Sequence, residues 1–250
     1  MSSTLILAVV GVVFLGALTR TTFGFGEAVV SMPLLTLLPV DLHTSVSLMG
    51  LVGLTVAVLA VTTGWRHINR TALIPLVLAA LVGIPVGLVM VTFTPTAVIT
   101  GLLGVALVAY GIYSLTRHLF TSKETHSRLN HQRWGLLFGF ASGVFGSAYN
   151  FNGVPVAVYG SLRGWHPEHF RSTMQAYFLL SGTLIVTGQG ISGMWNAKVF
   201  TLYLFSLPAL ATAIIVGTIL HRRIPTAKFQ RHVFLLITAL GTVLFVKSII

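Results

Sequence analysis

Arg20 stands in Leu18-Thr19-Arg20-Thr21-Thr22-Phe23, between two apolar stretches and beside a glycine break. A guanidinium at membrane depth is costly and faces a cavity or a partner. Its planar five-donor fork suits the paired oxygens of a carboxylate, sulfonate or phosphate. The alternative is an interfacial anchor that snorkels to the headgroups. Glu27 is the one carboxylate inside an apolar stretch. It is suited to pair with Arg20, to carry a coupling proton, or to cap the helix after the break. A proton role needs a pKa raised by burial, which a neighbouring arginine opposes.

Two glycine breaks match each other. Gly24-Phe25-Gly26-Glu27-Ala28 reaches Pro33, and Gly146-Ser147-Ala148-Tyr149-Asn150 reaches Pro155, each nine residues after the opening glycine, with Phe23 and Phe145 preceding. Helix N-termini present unpaired N–H groups and a positive dipole end, so two facing half-helices can hold an anion. Thr21, Thr22, Ser31, Ser142, Ser147, Tyr149, Asn150 and Asn152 supply neutral donors nearby. The expected small-anion site therefore draws Arg20, Thr21, Thr22, Gly24, Gly26 and Glu27 from the first break. Ser142, Gly146, Ser147, Tyr149, Asn150 and Asn152 come from the second. Glycines also allow close helix packing, and Gly135-x-x-x-Gly139-x-x-x-Gly143 reads as such a face.

Gln175, with Thr173, Tyr177 and Ser181, interrupts a later apolar run. It either lines a solute path or hydrogen-bonds between helices, and it completes the candidate set. His166 and His169 have a metal-compatible spacing, but no further ligand cluster joins them, so no metal site is expected. The absence of cysteine removes disulfides, iron–sulfur ligation and thiolate chemistry. No zinc-protease, nucleophile-elbow or P-loop motif is present. Neither an enzyme nor a cofactor is expected, and any uphill transport must draw on an ion or solute gradient.

These residues must be positioned by helices in lipid. Only 8% of the 250 residues are charged, 55% are apolar, and the mean hydropathy is +0.92. A soluble domain carries about a quarter charged residues. Ten apolar runs follow at roughly 4–19, 23–39, 44–64, 72–92, 96–117, 133–148, 151–162, 168–190, 197–220 and 229–249. The first, second, sixth and seventh are short and glycine-broken, and such breaks persist in a bilayer only inside protein or beside a water-filled cavity. The one long polar connection, Arg117 to Arg133, divides the runs five and five. Each half reads short, short, long, long, long, and Asp41 and Glu168 follow corresponding short runs. Repeated broken segments point to a transporter site between two repeats. The expected fold is an all-α polytopic membrane protein of two inverted repeats, each of about five helical segments. Residues 1–117 form the first, 118–132 a cytoplasmic linker and 133–250 the second.

Treating each short pair as a hairpin leaves three crossings per half, which inverts the halves. With the linker in the cytoplasm, inside segments carry Arg66 and Arg70; Arg117, Lys123, Arg128 and Arg133; Arg163 and Arg171; and Arg222, Arg223, Lys228 and Arg231. That is twelve of fifteen basic residues, as the positive-inside rule requires. Both termini are then expected outside the cytoplasm. The net charge of +11 is scattered between apolar runs, which suits anionic headgroups and not nucleic acid. The first run has the length of a signal core, but no Lys or Arg precedes it and no clear small-x-small site follows. It is expected to remain in the mature protein.

At both motif regions the chain resembles the sulfite exporter TauE/SafE family of bacterial permeases. The carriers of the resemblance are Gly24-Phe25-Gly26 to Pro33, Gly146 to Pro155, and Gly164-Trp165-His166-Pro167 followed by Arg171-Ser172-Thr173-Met174-Gln175-Ala176-Tyr177-Phe178. The likeness extends over essentially the whole chain. The family tends to have a glycine triplet after G-x, where this chain has Gly26-Glu27-Ala28 and Ala148-Tyr149-Asn150, so side chains enter the cradle. The resemblance implies a multi-pass protein of the cytoplasmic (inner) membrane that exports a small sulfur-containing anion, sulfite or an organosulfonate. Arg20 and the helix ends would bind it, and Asn150, Gln175 and nearby hydroxyls would orient it. A coupling proton or sodium ion, a homodimer, a passive channel and a lipid-modifying enzyme remain open as alternatives.

Overall fold

A computed structural model describes residues 2–61, 67–120, 133–223 and 226–249. Ten helices run in order: α1 Ser3–Phe23, α2 Glu27–Leu37, α3 Leu42–Val61, α4 Arg70–Phe93, α5 Thr96–Phe120, α6 Arg133–Tyr149, α7 Gly153–Leu162, α8 Pro167–Ile191, α9 Ala197–Arg223 and α10 Thr226–Ile249. No strand occurs among the described residues. The chain is an all-α polytopic membrane protein: α1, α3, α4, α5 and α9 are long and apolar enough to cross a bilayer. Linker residues 121–132, with Lys123 and Arg128, and Arg66 lie outside the described residues.

Short polar side chains set the helix starts. The Ser2 hydroxyl accepts from the Leu5 N–H, Asn69 from Ala72, Asp41 from Thr44 and Asn196 from Val199, each answering an orphan donor of a first turn. Partial burial works against the Asp41 carboxylate, but its bonds from Thr44 outweigh that, and its pKa lies below the ordinary value. Glu168, the acidic residue at the corresponding place in the second half, falls in the first turn of α8. Both acids thus sit where a helix dipole favours negative charge.

The first apolar run is longer than its composition suggests. α1 continues through Thr19-Arg20-Thr21-Thr22 to Phe23, 21 residues in all, and is not a short segment. Threonine hydroxyls make this possible by bonding back to carbonyls of their own helix, as Thr19 does to Leu15 and Thr21 to Ala17. Arg20 therefore belongs to the last turn of a spanning helix, not to the connection after it. The short elements are α2 and α7, of 11 and 10 residues. Eleven residues rise only about 17 Å, against a hydrocarbon core of about 30 Å. Both are largely buried in protein, as the need for satisfied backbone in lipid demands.

The second break falls at the last residue of its motif. Gly146 is inside α6, and the chain leaves the helix at Asn150, with φ of 58°. Asparagine tolerates the left-handed region better than other side-chain-bearing residues, so it ends α6 as Gly24, with φ of 87°, ends α1.

Helix packing has an exchange symmetry. α4 packs on α6 and α1 on α9, while α3 packs on α8 and α5 on α10. Swapping the first five helices for the second five converts the first contact into the second and leaves the other two unchanged. At the α4–α6 seam, a Cβ on Gly83 would meet the Phe140 main chain, and one on Gly139 or Gly143 would meet that of Leu76 or Ala80. The backbones touch there, as small-residue membrane seams allow. α3 and α8 occupy the interior, where α3 is the most enclosed of the candidate spans.

Candidate functional site

The two breaks meet in one cavity. It has a volume of about 40 Å³ and is walled by Phe25 to Val29 and Asn150 to Val154, with parts of α3 and α8 completing it. A water molecule needs roughly 10–15 Å³ of such space, so the cavity suits about three waters or an anion of a few heavy atoms. The first turns of α2 and α7 both contribute. Pro155, in the first turn of α7, carries no N–H, which leaves the α2 end the richer in donors.

Arg20 sits on one wall, 5% exposed. Its Nη1 donates to Glu27 Oε2 at 2.6 Å and to the Gly53 carbonyl at 2.8 Å. The guanidinium carbon lies 4.4 Å from the centre of the Phe178 ring. A residue larger than glycine at 53 would place its Cβ 3.4 Å from both Nη1 and Glu27 Oε2. Nε and Nη2 of Arg20 have no hydrogen-bond partner, nor does Oε1 of Glu27. Nε and Nη2 form one edge of the fork, the edge that binds two oxygens side by side. Orphaned donors of this kind are rare in native interiors and call for a ligand or another explanation.

A second cavity of about 370 Å³ opens at the end of the seam where α3 stops and α8 starts. Arg20, Thr21, His67, Glu168, Arg171, Ser172, Gln175 and Thr218 give it polar walls. Among the described residues, Arg20 is the single one that lines both cavities. Gln175 donates to the Gly24 carbonyl at 2.9 Å, and its Oε1 has no partner. Arg171 donates to Nε2 of His221 and to the Thr21 carbonyl. Nδ1 of His221 donates to the Thr22 carbonyl at 2.7 Å. Arg171 is thus held by the chain just after Arg20.

The sequence-derived residues divide into three groups. Arg20, Gly26, Glu27, Asn150 and Asn152 line the small cavity, and Thr21 and Gln175 the large one. Thr22 and Gly24 contribute carbonyls that hold His221 and Gln175. The rest brace the structure. Ser142 bonds the Asn152 carbonyl and accepts from Tyr177, fixing the second break. Gly146 gives room to Asn152, whose Cβ would lie 2.8 Å from a Cβ at that position. Ser147 donates to the carbonyls of Gly143 and Ile84, and Tyr149 to that of Ile99, so both hydroxyls turn toward neighbouring helices. Asn150 donates to the Val46 carbonyl at 2.5 Å and Asn152 to Ser181 at 2.9 Å.

Gly53, Phe178 and Arg171 were not foreseen as site residues. The available signal was helical spacing on α8, where Gln175, Phe178 and Gly182 share a face. His169 bonds the His67 carbonyl and His67 lies 3.9 Å from Glu168. Among the described residues no group of three or more His, Asp or Glu side chains is arranged to hold a metal ion.

Ten helices among the described residues, half-length elements buried at paired breaks, and an enclosed Arg20–Glu27 pair beside two cavities define a polytopic membrane protein with a polar interior. The family model described as Sulfite exporter TauE/SafE matches residues 8–244, and the chain belongs to that family. Neither the curated proteins nor the solved structures give a match.

Proposed function

We propose that the protein is a secondary transporter exporting a small sulfur oxyanion, sulfite or an organosulfonate, across the bacterial cytoplasmic membrane. The observation that carries this reading is the unpartnered Nε and Nη2 edge of Arg20, the one side chain common to both cavities. Two oxygens of an oxyanion match the two donors of that edge while Nη1 keeps Glu27 and Gly53. Phe178 covers the guanidinium face and leaves its edge as the binding direction. Asn150, Asn152 and the first turn of α2 line the space the anion would enter.

The site is neutral while Arg20 and Glu27 face each other. A monoanion adds one negative charge in a low-dielectric interior, and a proton taken up by Glu27 restores neutrality. Proton coupling follows from that balance. The two cavities meet at Arg20 and share no other lining residue among the described ones, which favours alternating access of two inverted repeats over an open channel. The excess of Lys and Arg in the loops around it supports a cytoplasmic larger cavity, with both termini outside.

Sulfite flux into proteoliposomes, with sulfate and a small organosulfonate as competitors, tests the proposal. Wild type is expected to carry sulfite, and folded Arg20→Ala to lose that flux. Normal flux in the variant would reduce Arg20 to an anchor, and no flux in wild type would remove sulfite as the cargo.

A further inference from the structure

Every buried side-chain nitrogen or oxygen without a partner, among the described residues, belongs to Arg20, Glu27, Gln175 or Gln189. Three of these four are accounted for at the cavities above. Gln189 is fully buried, and neither its Nε2 nor its Oε1 is bonded. Leaving a buried carboxamide unpaired is unfavourable, and an apolar side chain of that shape would avoid the penalty.

Its position is not random. Gln175 and Gln189 stand fourteen residues apart on α8, about 21 Å at 1.5 Å per residue. Phe178, Gly182, Ile185 and Val186 lie between them and wall the small cavity. Across the seam Gly50, another wall residue, faces Gln189 so closely that a Cβ there would lie 2.5 Å from Oε1. One turn further toward the start of α3, the buried Ser47 bonds the Met194 carbonyl. Thr44, also buried, accepts from Asn196. Along the α3–α8 seam the order is therefore the large cavity, Gln175, the small cavity with Arg20, and then Gln189 at the far end.

Resting on the transport reading above, we infer that Gln189 is a second, neutral station for the oxyanion, on the side of Arg20 opposite the large cavity. A carboxamide offers two donors and an acceptor. It therefore matches a partly protonated oxyanion, which accepts through its bare oxygens and donates through its hydroxyl. The station holds no charge, so it receives the ion without trapping it. Gly50 supplies the clearance, and the seam must part by a small movement of α3 against α8 for the ion to reach it.

The natural absence of cysteine makes the test direct. Gln189→Cys in proteoliposomes is expected to react with a membrane-impermeant thiol reagent, and a small organosulfonate, which unlike sulfite does not consume the reagent, is expected to slow the reaction. Gln189→Met, close in shape, removes the orphaned amide. It should fold with an unchanged or raised Tm, yet transport sulfite about tenfold or more slowly, the scale of one hydrogen bond to a charged group. Stability and flux moving in opposite directions separates a station from a packing residue. A thiol inert from both sides, or Gln189→Met with wild-type flux, would overturn the inference. A thiol that reacts in a protein carrying no sulfite would remove the cargo and keep the path.

Discussion

Arg20 and Glu27 bind each other at 2.6 Å in an interior that admits neither charge alone. Breaking a buried pair by removing one partner costs about 3–5 kcal/mol, because the other charge is left behind. That cost is what allows an anion to act as a substitute partner. Glu27→Gln should therefore lower the Tm, and sulfite should recover much of the loss. With the competing carboxylate gone, sulfite should bind about tenfold more tightly, and its binding should no longer vary with pH as Glu27 titrates. Thermal shift and sulfite titration across pH check both expectations. Unchanged affinity with an unchanged pH profile would show that Glu27 takes no part in anion binding.

Helix seams carry a different constraint. Gly143 has the Ala80 main chain where a side chain would begin, whereas Gly11 has nothing within 4 Å. Gly143→Ala should destabilise by about 1–3 kcal/mol through forced separation of α4 from α6, while Gly11→Ala should be neutral or mildly stabilising. Thermal unfolding in detergent distinguishes them, and equal effects would contradict the close-approach argument. The Gly135-x-x-x-Gly139-x-x-x-Gly143 spacing made this face legible, because a period of four marks one side of a helix. Run lengths made the half-length α2 and α7 legible too. The end of α1 was not, since polar threonines interrupt an apolar count but bond within their own helix. The second motif, Gly146 to Asn150, contained the break but not its exact point, because asparagine at position 150, and not the glycine, supplies the left-handed turn there. Gly53 and Phe178 could not be read as partners of Arg20, since their meeting depends on how α3 packs on α8.

At the scale of the whole molecule, the central pair α3 and α8 carries the polar interior, and the outer helices present large apolar side chains such as Leu78, Val82, Leu204 and Ile215. The packing exchange between halves relates the outer contacts to one another around that seam. Composition identified the bilayer environment, and the paired breaks both line the small interior cavity. The register between the halves came only with the fold. The transport proposal requires the Nε and Nη2 edge of Arg20 to bind the anion. Calorimetric titration of sulfite into purified wild type, Arg20→Lys and Arg20→Ala measures this without requiring transport. The account predicts one site in wild type, binding weakened about tenfold or more in Arg20→Lys, which keeps the charge but loses the two-oxygen edge, and no binding in folded Arg20→Ala. Equal affinity in all three proteins would contradict it.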